Sequence, residues 1–252
     1  MIPANLIINA DDFGLDRRVS GAIAACLDEG LINSFSVYPF ADAFHADLLK
    51  SILVRHPQAK VGAHLAVTGP DLADHPGHFR DFLARYATGR FPAGRVREIW
   101  RAQIKDLRAK LGGAPLSHLD SHQHLHMLPG LWDAARTLQE EFRVPRLRVP
   151  YEGILRCAGD RFPFGMALQG LARLRAEPDT GFIGFRTSTC FTLEANRAGL
   201  ERVLRDPGRR FELMVHPALP GEGPGLNPGQ ENEMGELRKL PEFFRVSAPP
   251  RP

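Results

Sequence analysis

Short apolar runs alternate with longer amphipathic ones about seven times along this 252-residue chain, and that alternation limits the fold more than any other feature. LII at 6–8 reads as a buried strand, FSVYPF at 35–40 as a second and KVGAHLAV at 60–67 as a third. Further strands are expected at 116–121, 147–150, 182–185 (FIGF) and 211–215 (FELMV). Helices are predicted over 19–27, 43–54, 95–111, 131–142 and 193–204, with a short one near 231–240. The clearest, 95–111, repeats Val96, Ile99, Trp100, Ile104, Leu107 and Leu111 at helical spacing and is stopped by Gly112 and Gly113. Residues 68–91, rich in Gly, Pro, Asp and His, show no clear period and read as a long excursion. Strand and helix in alternation imply parallel strands joined by helical crossovers. The fold is then a (β/α) barrel or an open doubly wound sheet, and in both the chemistry belongs at the C-terminal ends of the strands.

A chain of this length buries a sizeable core and is expected to form one domain over 1–252. The 32 Lys and Arg are interleaved with 29 Asp and Glu, for a net charge of only +3, so no basic block suggests a nucleic-acid surface. The opening MIPANLIINADD has no basic leader, and its apolar run is short; neither a signal peptide nor a membrane span is expected there. Cys26, Cys157 and Cys190 are far apart and odd in number, against a disulfide framework or a CxxC site, and fit free thiols in the cytoplasm.

The polar residues that most need explaining fall where the strand-end rule puts them. Strand one runs into Asn9, Ala10, Asp11 and Asp12; strand three carries His64; strand four ends in Asp120, Ser121 and His122; strand five holds Arg148; strand seven is followed by His216 and Pro217. Taken singly, each has an ordinary explanation: Asp-Asp as a turn or helix cap, His64 as a bonded core histidine, Arg148 as a structural ion pair. Taken together they meet at one mouth. Adjacent Asp11 and Asp12 cannot both face the same way within a regular strand, so they belong at its end or in the following turn. Two carboxylates so close also resist joint ionisation unless a cation is near.

LSHLDSHQHLHM at 116–127 holds four of the ten histidines. As a strand it puts His118, Asp120 and His122 on one face; as a helix it pairs His122 with His126, and the local sequence leaves both readings open. One Asp and two His with open positions describe a catalytic metal site, with imidazole suiting zinc and other first-row metals and carboxylate and water suiting magnesium.

NADDFG, GAHL, HLDSHQHLHM, RVPYE and MVHPA, in that order over residues 9–217, resemble the motifs of the YdjC/ChbG family of carbohydrate deacetylases. The hopanoid-biosynthesis deacetylase branch is similar. The resemblance implies a distorted (β/α) barrel of about seven parallel strands, related to polysaccharide deacetylases, that removes the N-acetyl group of an amino sugar with one divalent ion, magnesium or zinc. It implies Asp12, His64 and His122 as metal ligands, Asp11 as general base and His216 as general acid. Asp120 is expected to orient a ligand histidine, and Arg148 to orient Asp11 or a substrate oxygen. His124 and His126 are the alternatives to His122. A homodimer is left open. The competing readings are a metal-dependent phosphoesterase or amidohydrolase, which usually opens with HxH where this chain has Asp-Asp, and a sugar-binding barrel without catalysis, which would lack a base or acid.

Overall fold

A computed structural model describes residues 2–40, 42–68, 78–153, 164–221, 226–227 and 229–247. Six parallel strands make one sheet: β1 (Leu6–Phe13), β2 (Ser34–Val37), β3 (Lys60–Leu65), β4 (His118–Ser121), β5 (Thr180–Ile183) and β6 (Arg210–Val215). Their spatial order is β4-β3-β2-β1-β6-β5, so β1 lies centrally between β2 and β6. The described strands form a half-barrel, not the barrel of about seven strands expected from the sequence. The missing member is 147–150. Leu147 makes a single parallel bridge to Leu119, supported by Leu119 N–H to Arg146 O and Arg148 N–H to Leu119 O, both 2.9 Å. Pro145 and Pro150 bracket this segment, and a residue without an N–H cannot extend a ladder.

Nine helices cover the sheet among the described residues: α1 (Arg17–Asp28), α2 (Ala43–Arg55), α3 (Phe79–Ala87), α4 (Ala93–Lys110), α5 (Leu131–Glu141), α6 (Phe164–Arg173), α7 (Leu193–Arg205), α8 (Gln230–Leu237) and α9 (Leu240–Ser247). Asp16, Asp42 and Thr192 cap α1, α2 and α7 by accepting from backbone N–H groups of the first turn. Two expectations change. The excursion at 68–91 contains α3, whose Phe82 is fully buried, while residues 69–77 lie outside the described set. The single short helix near 231–240 is two, α8 and α9. Cys157 lies outside the described residues; Cys26 is a buried free thiol and Cys190 an exposed one.

Strand alternation divides the sheet chemically. Leu6, Ile8, Ala10, Phe35, Val61, Ala63, Leu119, Phe211, Leu213 and Val215 join one apolar core with the helices, including Ile23, Trp100, Ile104 and Leu138. The opposite, concave face carries Asn9 and Asp11 from β1, Ser34 and Ser36 from β2, His64 from β3, His118 and Asp120 from β4, and Glu212 from β6, all buried. Gly62, paired with His118 in register, is required there: a Cβ would stand 2.2 Å from the His118 ring. A buried face lined with this many polar groups must satisfy most of them internally, which it does through the network described next, while His118 Nε2 has no hydrogen-bond partner among the described residues.

Candidate active site

The Asp11–Asp12 problem is solved by a bulge. The β1–β2 register shifts between Ala10 and Phe13, and Asp12 adopts φ 70°, the left-handed region that a residue with a side chain rarely visits. Strand one therefore carries both aspartates at its end and runs to Phe13, and the kink lets both carboxylates point to the concave side. Strained backbone of this kind concentrates at functional sites.

Asp12 Oδ1 lies 3.1 Å from His64 Nε2 and 3.0 Å from His122 Nδ1. One donor atom from each of the three can be chosen so that all lie within 4.8 Å of one another. This is a donor set of two imidazole nitrogens and one carboxylate oxygen, the chemistry that suits a first-row or zinc ion. His64 is aimed from behind, its Nδ1 2.8 Å from Asp120 Oδ1, the arrangement that fixes the tautomer of a metal-binding imidazole. Burial works against ionisation of Asp12, but His122 and His64 hold its carboxyl well below the ordinary range; burial likewise opposes charge on His64, yet Asp120 and Asp12 raise it well above the usual imidazole value. Two acids and two imidazoles in a buried place thus favour added positive charge.

Asp11 is held differently. Its Oδ1 accepts from Asn9 Nδ2 (2.7 Å), Ser36 Oγ (3.2 Å) and Arg148 Nη2 (2.7 Å), and its Oδ2 from Arg148 Nη1 (2.6 Å). Burial raises its pKa, but the Arg148 guanidinium overrides this and keeps it far below the ordinary value. Arg148 also reaches Asp120 Oδ2 (2.8 Å) and Glu212 Oε1 (2.7 Å), and Arg146 pairs with the other Glu212 oxygen. A second cluster with donor atoms in ion-binding range, Asp11, His64 and Asp120, therefore already has its cation in Arg148. His216, just beyond β6, places Nε2 3.9 Å from Asp11 Oδ2 and 4.0 Å from Asp12 Oδ2.

All seven residues singled out from the sequence meet at the C-terminal ends of the strands. The strand reading of 116–127 holds only to Ser121; His122 opens a 3₁₀ turn in which Gln123 and His124 are left-handed at φ 57° and 55°. That turn sorts the histidines. His126 Nε2 donates to Arg148 O (2.9 Å) and its Nδ1 receives the Ser121 hydroxyl (2.6 Å), while burial pushes it down to about 4. His124 stacks on Phe185 with centroids 5.3 Å apart, and His118 points into the interior beside Ser117 Oγ. The sequence reading missed Glu212 and Glu233. A lone acid inside the apolar run FELMV was a readable signal for the first; nothing local marked the second.

These features define a class: an α/β half-barrel with one candidate metal centre flanked by a buried acid and an imidazole. The chain belongs to the YdjC-like protein family, whose model matches residues 5–242. It is 33% identical over 147 residues to a carbohydrate deacetylase of Vibrio parahaemolyticus, covering 56% of this chain and 57% of that protein. It is 27% identical over 223 residues to a chitooligosaccharide deacetylase of Yersinia pestis, covering 85% and 81%. The matched region spans a little over half the length of the carbohydrate deacetylases of Vibrio and Brevibacillus. In fold, it superposes on a protein of Enterococcus faecalis provisionally named for cellobiose-phosphate cleavage, with TM-score 0.67, 21% identity and coverage of 96% and 94%. Among the described residues no helix is long and apolar enough to cross a membrane.

Proposed function

We infer that this protein hydrolyses the N-acetyl group of an amino sugar, releasing acetate and the free amine, with one divalent ion held by Asp12, His64 and His122. The observation that carries this reading is the three-residue donor set with Asp11 and His216 beside it: His64 lies 4.0 Å from Asp11, Asp12 lies 4.0 Å from His216, and Asp11 and His216 lie 3.9 Å from each other. The names of the relatives in Vibrio and Yersinia support an acetylated sugar, and a chitooligosaccharide in the second case. When bound, a divalent ion, zinc or magnesium, acidifies water and polarises an acyl carbonyl.

The chain's own residues would then do the following. Asp11 takes a proton from water through Oδ2, the oxygen that among the described residues accepts only from Arg148. Arg148, Asn9 and Ser36 keep that carboxylate ionised and aimed. His216 gives a proton to the departing nitrogen; burial lowers its pKa against the pull of Asp11 and Asp12, which makes its protonated form a ready donor. Asp120 fixes the ring of His64. A phosphoesterase built on two ions is disfavoured because Arg148 already neutralises the second acidic cluster. Metal analysis of the purified protein, coupled to acetate release from N-acetylglucosamine oligomers and phosphate release from model esters, tests the reading. Phosphate without acetate would replace it.

A further inference from the structure

Catalytic histidines are commonly aimed by a bond to the second ring nitrogen, and among the described residues His216 has none. Its Nδ1 is buried with no hydrogen-bond partner among the described residues, so the ring is not steered from its own far side. The backbone is held instead. His216 N–H donates to Glu233 Oε2 at 2.5 Å, and His216 O accepts from Gln230 Nε2 at 3.2 Å, both from α8. The other Glu233 oxygen accepts Phe191 N–H at 2.9 Å, and the Ala218 N–H donates to Gln230 O at 3.1 Å. Helix α8 therefore grips both peptide groups of the residue after β6 and ties them to the segment leading into α7.

Glu233 is fully buried and no cation pairs with it among the described residues. A buried carboxylate without a cation is costly, and an apolar or amide side chain would avoid that cost. Only a carboxylate offers an acceptor to both N–H groups at once; a glutamine would turn an NH2 against one of them. We propose that Glu233 is a positioning residue for His216, fixing through the backbone where that imidazole stands relative to Asp11 and Asp12. The claim rests on the catalytic role given to His216 above.

Burial pushes the Glu233 carboxyl up to about 7, partly opposed by the Phe191 and His216 N–H groups and helped by the charge of Asp11. The other titratable groups near it are His216 beyond β6, Asp11 of β1 and Cys26 of α1, whose thiol burial pushes up to about 12. Protonation removes one acceptor site, so kcat should decline as pH drops through about 7. Glu233→Gln mimics that state permanently.

The test compares wild type, Glu233→Gln and Glu233→Asp by metal content, kcat and KM for acetate release, and imidazole NMR of histidine-labelled protein, with His216→Asn assigning the signal. Glu233→Gln should keep its metal and a KM within about twofold of wild type. Its kcat should fall about 10- to 100-fold, the range expected for an ångström-scale misplacement. It should also lose the acid limb near neutrality, and the His216 signal should shift or broaden while those of His64 and His122 stay. A wild-type kcat or an unmoved His216 signal overturns the proposal. If Glu233→Gln does not fold, Glu233→Asp, which keeps the charge but shortens the reach to the His216 and Phe191 N–H groups, decides by the same signal. If wild type releases no acetate, the deacetylase reading fails, and the imidazole signal still decides whether Glu233 positions His216.

Discussion

Arg148 and Asp11 meet in a two-pronged ion pair, Nη1 on Oδ2 at 2.6 Å and Nη2 on Oδ1 at 2.7 Å, with both side chains buried. The same guanidinium serves Asp120 and Glu212, the latter shared with Arg146, so two cations balance three acids beneath the candidate metal centre. Removing Arg148 would leave the buried Asp11 carboxylate without its guanidinium and strip one partner each from Asp120 and Glu212. Arg148→Met should cost about 3–5 kcal/mol of stability. Arg148→Lys should also destabilise, because a single ammonium cannot reproduce the planar fork. Urea denaturation at pH 7 measures both, and a wild-type midpoint in Arg148→Met would contradict the network's role.

Metal content separates the histidines. His64→Ala and His122→Ala should purify without the ion, whereas His124→Ala, whose ring stacks on Phe185, should retain it. Asp11→Asn should keep the ion yet lose turnover by about 10²-fold or more, as expected when a positioned base is removed. Elemental analysis beside acetate release reads all four. Metal retained in His122→Ala and lost in His124→Ala would reassign the ligand.

The pH dependence of stability carries a defined sign at His126. Burial lowers its pKa to about 4 from the ordinary 6.5, so the folded protein keeps it neutral while the unfolded chain takes up a proton. Its contribution is complete above about pH 6.5 and is lost as pH falls toward about 4, at about 1.4 kcal/mol per pH unit at most. His126→Asn removes that titration. Its stability should therefore fall less steeply than wild type between pH 7 and pH 5, and parallel curves would show that His126 does not titrate this way.

Gly62 and His118 form a second coupled pair. A methyl group on Gly62 would overlap the His118 ring at 2.2 Å, between strands whose register leaves no room to slide. Gly62→Ala should destabilise by about 1–3 kcal/mol or more. Adding His118→Ala should recover part of that loss, so the two effects should not sum. Additive losses in a double-mutant cycle would place the cost elsewhere.

Much of the site was readable because parallel α/β folds gather chemistry at strand ends. Asp11, Asp12, His64, His122 and His216 stand out as polar residues closing apolar runs, and that pattern needs no coordinates. The 147–150 segment misled because its apolar character resembles a strand, while the flanking prolines limit its ladder to one bridge. The α3 helix was hidden in a stretch whose Gly and Pro content masks the short period of Phe79, Phe82 and Leu83. Glu233 carried no local signal, since its partners are backbone groups 17 and 42 residues away.

The amino-acid sequence alone determined the alternating architecture, the set of strand-end acids and imidazoles and the family to which they belong. Periodicity and residue chemistry are local properties, and these features depend on nothing else. Tertiary structure decided which of the clustered histidines faces Asp12, that both adjacent aspartates face one way through a bulge, and that Arg148 stands where a second cation could have been. Those outcomes depend on contacts such as Asp12 with His122, 110 residues apart, and on a left-handed backbone turn at Gln123 and His124 that few residues with a side chain adopt.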